Sequence, residues 1–253
     1  MIKKQIESKI TANTKAIIPV SLYGQCCDMD EINRIVGKYQ ITVIEDAAQS
    51  FGAEYKGKKS CNLSTIATTS FFPSKPLGCY GDGGMIFTSD ERIARKIEII
   101  ANHGQEKHYY HTIIGVNSRL DTIQAAILLA KMMVFENEIK MRSKIGRYYT
   151  DKLKSFAKTT VVKDDRTSVY AQYTIEVDNR DEFCKKMQEN CIPTAVHYPL
   201  PLHKQPVFKD LPWKDGDFPH AENAARRVVS LPMHPYLSKE EQDFIIEKVK
   251  ECL

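Results

Sequence analysis

Residues 70–84 read S-F-F-P-S-K-P-L-G-C-Y-G-D-G-G, with one lysine, Lys75, set between an apolar run and a glycine-rich turn. The run from Ile66 to Phe71 has strand composition and Met85 to Thr88 resumes it, so the spacing predicts two strands flanking a lysine-bearing turn. Glycines 78, 81, 83 and 84 alone mark no more than a tight hairpin. Upstream, V-I-E-D-A-A-Q-S-F-G-A at 43–53 closes another apolar run with an acid, Asp46, and an amide, Gln49. Asp46 follows Thr42 to Glu45 and is expected at the carboxyl end of a buried parallel strand, where open α/β sheets bind ligands.

Working outward, the chain alternates strand and helix. Ala16 to Val20 reads as a buried strand, and Met29 to Tyr39 as a helix with Ile32, Ile35, Val36 and Tyr39 on one face. That alternation predicts a parallel sheet of α/β class. Ser89 or Asp90 should cap a helix with Ile93, Ile97, Ile100 and Ala101 at helical spacing, stopped by Gly104. Asp121 to Phe135 is apolar nearly all round, which predicts a buried helix at a subunit interface with Met132 and Met133 in the core. The pattern changes near Ser155: strands at 159–162 and 170–177 and a helix at 181–189 predict a smaller α+β subdomain, so the domains read 1–155 and 156–253. The proline-rich run from Pro199 to Pro219 holds Trp213, the sole tryptophan, and reads as an ordered loop rather than a linker. Ser238 and Glu241 form a capping box for a last helix reaching about Lys250.

Composition narrows the function. With 253 residues and 42% apolar content the chain can bury a core. A net charge of +4 without a basic and aromatic cluster gives no nucleic-acid footprint. Seven cysteines without metal-ligand spacing read as free thiols of a reducing, cytoplasmic compartment. Met1 to Lys15 is polar and charged, which argues against a signal peptide or a membrane span there. His103, His108 and His111 lack a carboxylate or cysteine at ligand spacing, so no metal site is expected.

A lysine held between a strand and a glycine-rich turn and an aspartate that closes another strand suit pyridoxal 5'-phosphate. That cofactor needs a lysine for its aldehyde, a carboxylate to keep its ring nitrogen protonated, and hydroxyl or backbone donors for its phosphate. Lys75, Asp46 and Ser70 meet these needs in turn, Gln49 can reach the ring's phenolic oxygen, and Ala47 and Ala48 are small enough to lie under the ring. Taken singly, such an aspartate is more often a turn or cap residue and such a lysine a solvated one; the pair is the signal. No G-x-x-x-x-G-K-[ST] is present, which sets aside a P-loop nucleotide hydrolase.

On these marks, together with I-I-P-V-S-L-Y-G-Q (17–25), N-H-G (102–104), G-V-N-S-R-L-D-T-I-Q-A-A-I-L (115–128) and S-L-P-M-H-P (230–235), the chain resembles the DegT/DnrJ family of sugar-nucleotide aminotransferases, within the fold-type I pyridoxal phosphate enzymes. The details at 60–84 and 108–131 resemble the branch acting on UDP-2-acetamido-2-deoxy-3-oxo-D-glucuronate, which serves O-antigen and related surface glycans. The resemblance implies that Lys75 is the Schiff-base lysine, Asp46 the pyridinium partner, Gln49 the ring-oxygen contact and Ser70 a phosphate ligand. Asn117 would reach the neighbouring subunit's phosphate site and Arg119 would face the sugar uronate across a homodimer, a task suited to the guanidinium fork. His197 and Tyr198 would lie near the sugar, whose nucleotide is UDP, with L-glutamate as amino donor.

The resemblance also implies roughly 110 further residues ahead of the point matching Met1, in keeping with the usual size of two-domain enzymes. They would bring the first strands, a phosphate-binding turn at a helix N-terminus and the aromatic over the ring's other face. Two other readings follow from a different class or a related reaction. One is a shortened, noncatalytic relative that dimerises or binds sugar nucleotide. The other is a pyridoxal phosphate dehydratase, which Lys75 argues against because those relatives resemble the family with histidine at that position.

Overall fold

The computed structural model describes residues 5–253, which divide into two compact units: 5–140 with 162–171, and 141–161 with 172–253. The division falls at residue 140 rather than near 155, and 162–171 returns to the first unit. Arg166 explains that return: its side chain is buried, bonds the Cys26 carbonyl at 2.7 Å and pairs with Asp28 at 2.5 Å, so the segment is tied to the chain's early part.

The first unit is built on a four-stranded sheet of order β1-β2-β5-β6, from β1 (Ala16–Ile17), β2 (Thr42–Asp46), β5 (Ile66–Ser70) and β6 (Gly84–Phe87). Between β2 and β5 lies a small ladder of β3 (Glu54–Tyr55) and β4 (Lys58–Lys59). β1 to β2 and β2 to β5 pair in parallel, with Ile44 opposite Ile66 and Asp46 opposite Thr68. β5 to β6 is antiparallel, so the sheet is mixed rather than parallel throughout: the lysine turn reverses the chain directly, where a parallel partner would need a crossover helix. Helix α1 (Met29–Gly37) buries Met29, Ile32, Ile35 and Val36 at helical spacing. Tyr39 lies beyond the helix end, half-exposed, with its hydroxyl on Glu7. Ala16 to Val20 is not a buried strand: β1 is the end strand, and Ile18 and Val20 are 55% and 47% exposed.

Helix α2 (Glu91–Ala101) is capped by Asp90, whose carboxylate accepts from the Arg92 and Ile93 amides, and leads to the hairpin of β7 (Gln105–Lys107) and β8 (Tyr110–His111). Helix α3 (Thr122–Leu153) is far longer than the 121–135 read from its composition. It buries Leu128, Phe135 and Ile139 and stacks Phe135 on Phe51 at 5.7 Å. Its other faces are exposed, Met133 at 88%, Ile123 at 74% and Leu129 at 71%, so Met132 and Met133 are surface residues rather than core. Apolar composition had marked the helix for burial without saying which faces its own chain covers.

In the second unit β9 (Lys158–Thr159), β10 (Tyr173–Glu176) and β11 (Val228–Leu231) form an antiparallel sheet, with α4 (Arg180–Glu189), α5 (Pro219–Arg227) and α6 (Lys239–Cys252). Ser238 and Glu241 cap α6 reciprocally, as their spacing predicts. The proline-rich loop is ordered around the buried Glu222 carboxylate, which accepts from the Gly216 amide at 2.9 Å and pairs with Lys204 at 3.2 Å and His203 at 3.3 Å. Burial alone would raise that carboxyl; the bonds from Lys204 and the Gly216 and Phe218 amides outweigh it and hold it at about 2. Among the described residues no helix is long and apolar enough to cross a membrane.

Candidate active site

Asp46 is the last residue of β2, and its backbone is fixed on both sides: its N–H donates to the Pro19 carbonyl and its carbonyl accepts from the Ser21 amide, each at 3.0 Å. Oδ1 accepts the Ala48 N–H at 3.0 Å, an Asx turn that bends the chain away from the strand and sets the carboxylate at its carboxyl end. Ala47 is fully buried, held by its N–H to the Thr68 carbonyl and by the Thr69 hydroxyl on its own carbonyl. Gln49 is buried, and its Oε1 accepts the Tyr23 N–H at 2.7 Å, which fixes the plane of the amide. Tyr23 carries a φ of 60°, a conformation that propensity does not announce.

Because Asp46 pairs with Thr68 on the parallel neighbour, Ser70 lies two residues further along at the same edge of the sheet. Its Oγ accepts the Phe72 N–H at 3.2 Å, opening the lysine turn. Within the turn the Lys75 amide donates to the Phe72 carbonyl at 2.9 Å, Phe71 N–H to Gly83 O at 2.7 Å and Cys79 N–H to Phe71 O at 2.8 Å. The buried Cys79 thiol lies 3.0 Å from both the Phe71 and Gly81 carbonyls, stapling the two ends of the turn. Gly78 is obligatory by close approach: a Cβ there would stand 2.5 Å from the Pro73 carbonyl oxygen. Lys75 is half-buried, and its ammonium has no hydrogen-bond or ion-pair partner among the described residues.

Behind this edge Glu45 is fully buried, with Oε2 accepting the Cys61 N–H at 3.0 Å and Oε1 unpartnered. Burial raises its carboxyl, only partly offset by the Cys61 and Leu63 amides. Burial likewise pushes the neighbouring Cys26 thiol up to about 12.

Asp46 and Ser70 therefore close two adjacent parallel strands, with Gln49 three residues after the first end and the Lys75 turn directly after the second. Asn117 and Arg119 are placed elsewhere in the same unit: Asn117 bridges the backbone of Asn102, and Arg119 donates to the Asn102 side chain at 2.8 Å, both exposed. His197 and Tyr198 belong to the second unit, where His197 Nδ1 lies 3.0 Å from the Ser230 hydroxyl. Sequence reading missed Tyr23, Cys79, Gln124 and Lys131, which hold the site's backbone and side chains. Only the last two left a signal, as the two polar side chains between Ile123 and Phe135.

The residues at the sheet edge fit pyridoxal phosphate. An unpartnered lysine can take the aldehyde, a strand-end carboxylate suits the ring nitrogen, and the half-buried Ala48 is small enough to lie under the ring, whereas Ala47, expected there too, is fully buried and has no surface to offer it.

Mixed sheet, lysine turn and strand-end aspartate define a fold-type I transferase architecture of α/β class. The sequence matches the DegT/DnrJ/EryC1/StrS aminotransferase family over residues 1–250, and the chain belongs to that family. It is 58% identical, over 92% of its length, to the UDP-2-acetamido-2-deoxy-3-oxo-D-glucuronate aminotransferase of Pseudomonas aeruginosa, and spans 64% of that protein. Among solved structures it is similar to S. venezuelae DesV in complex with a ketimine intermediate, with TM-score 0.96 and 34% identity over 98% of this chain and 68% of that one. It is also similar to NtdA from Bacillus subtilis with bound cofactor PMP, with TM-score 0.88 and 31% identity over 99% of this chain and 59% of that one.

Proposed function

We propose that the protein is a pyridoxal phosphate-dependent aminotransferase acting on a 3-keto UDP-sugar, a UDP-2-acetamido-3-oxo-glucuronate, with L-glutamate as amino donor, in the cytoplasmic synthesis of surface glycans. The observation that carries the reading is that Asp46 ends β2 while the Lys75 turn follows the end of its parallel neighbour β5, in a chain 58% identical to a relative named for that substrate.

When bound, the cofactor supplies the aldehyde that carries the amino group and a ring that takes up electrons from the carbon being deprotonated. Lys75 Nζ would hold the aldehyde carbon and, when free of it, would be the base that moves a proton at the substrate carbon. The Asp46 carboxylate would favour the protonated ring nitrogen, and the Asx turn to Ala48 fixes the orientation of that carboxylate. Gln49, with its amide plane fixed by Tyr23, would hold the ring's phenolic oxygen, and Ser70 would contribute a hydroxyl to the phosphate. Arg119 pairs with the sugar carboxylate, Asn117 serves the phosphate of a partner protomer, and His197 and Tyr198 bound the sugar. A homodimer is supported by the exposed apolar face of α3, where Leu129 and Met133 are 71% and 88% exposed.

The test is turnover by the purified protein with glutamate and the 3-keto uronate sugar nucleotide, followed as 2-oxoglutarate release. Amination of that substrate in preference to a neutral 3-keto analogue is expected. Amination of the neutral analogue alone would overturn the substrate class, and no amination of either would overturn the reaction.

A further inference from the structure

Between Ile123 and Phe135, α3 carries two polar side chains, Gln124 and Lys131, in an otherwise apolar stretch. They stand seven positions apart, about two helical turns, so they share one face. That face also carries the buried Leu128 and Phe135, and both polar residues are half-buried within it.

Each bonds the backbone of the turn that carries Lys75. Gln124 Oε1 accepts the Tyr80 N–H at 2.8 Å, and the Lys131 ammonium donates to the Gly78 carbonyl at 2.5 Å while lying 5.6 Å from the centre of the Tyr80 ring. The fit at Gly81 is close as well: a Cβ there would stand 3.2 Å from Gln124 Nε2. Lys131 has no carboxylate partner among the described residues, so its charge rests on one carbonyl and one ring face. Partial burial of an ammonium on so few partners is a poor way to stabilise a helix, whose face an apolar residue would pack better.

We propose that Gln124 and Lys131 are positioning residues: from the rigid helix they fix the 78–81 backbone, and through it the place of Lys75 Nζ. This rests on the reading of Lys75 as the cofactor-binding lysine. The mechanism is geometric. Phe71, Cys79 and Gly83 close the base of the turn, and without the two helix contacts its far side has no polar anchor outside the turn itself among the contacts described. Misplacement of a reacting atom by about 1 Å costs on the order of 10²-fold in rate.

The test uses Lys131→Met and Gln124→Met, which keep an unbranched apolar stem of similar length and a high helix propensity, with Lys131→Arg as the conservative variant. In cofactor-free protein, amide hydrogen exchange of peptides spanning 76–84 should quicken by about tenfold or more, while the strands β2 and β5 keep the parent's protection. In loaded enzyme, kcat should fall about 10- to 100-fold with KM for the keto sugar within about threefold, and Lys131→Arg should recover part of the loss. Parent exchange rates at 76–84 would overturn the proposal. So would loss of protection spread over the whole unit in both methionine variants, since the residues would then hold the fold and not the turn. Because exchange is read without cofactor, it decides this proposal even if Lys75 proves not to bind pyridoxal phosphate.

Discussion

Gly78→Ala tests the lysine turn with a magnitude that follows from distances. The new Cβ would stand 2.5 Å from the Pro73 carbonyl oxygen and 2.8 Å from that of Phe72, both backbone atoms that cannot rotate away. Ordinary contact begins at 3.4 Å, so backbone must move by about 0.9 Å, the difference between 3.4 and 2.5 Å. The Gly78 carbonyl is held by Lys131 and the Phe72 carbonyl already takes the Lys75 amide, so the displacement falls on the residues between, with Lys75 at their middle. Overpacking of this kind costs about 1–3 kcal/mol of stability. A shift of that size at Lys75 costs on the order of 10²-fold in kcat. Thermal unfolding and steady-state turnover of the same preparation give both numbers. A folded Gly78→Ala protein with kcat within threefold of the parent would refute the claim that this turn sets the lysine's position.

Asp46→Asn can keep the Oδ1 bond to the Ala48 amide and so the fold, yet should lose on the order of 10²-fold or more in kcat because an amide cannot stabilise the pyridinium; circular dichroism and turnover check the two halves. Arg119→Ala should raise KM for the uronate sugar about 10- to 100-fold, the equivalent of a charged hydrogen bond of ~1.5–3 kcal/mol, and leave a neutral analogue nearly unchanged; equal losses on both would make Arg119 structural. Glu45 is raised by burial, so the folded state keeps its proton at pH values where the unfolded carboxyl, near 4.5, has lost it. Its contribution is therefore full below about that pH and is lost as pH rises through the folded-state value. Denaturant titrations across pH should show the parent losing stability relative to Glu45→Gln over that window, whereas a constant difference would mean Glu45 is buried ionised.

What the sequence disclosed was local. Asp46 was expected at a strand end because an apolar run stops there, and Asp90 and Ser238 as caps because capping is decided within one helical turn. The lysine turn was legible for the same reason: glycines and a proline punctuate a short stretch between two strands. The faces of α3 were not legible, because Leu128 and Leu129 have one chemistry and the fold buries one at 6% and exposes the other at 71%. Periodicity finds an apolar helix but not the partner that covers it. The Tyr23 to Gln49, Tyr80 to Gln124 and Gly78 to Lys131 bonds join residues 26, 44 and 53 positions apart, and only the assembled sheet and helix bring them together.

Everything proposed for this site depends on Lys75 Nζ being the atom that takes the pyridoxal phosphate aldehyde. The most direct measurement of that is peptide mapping by mass spectrometry after the protein is incubated with pyridoxal phosphate and reduced with borohydride. One adduct per chain is expected, on Lys75, whose ammonium has no competing partner among the described residues. Adduct distributed over exposed lysines, with Lys75 unmodified, would contradict it.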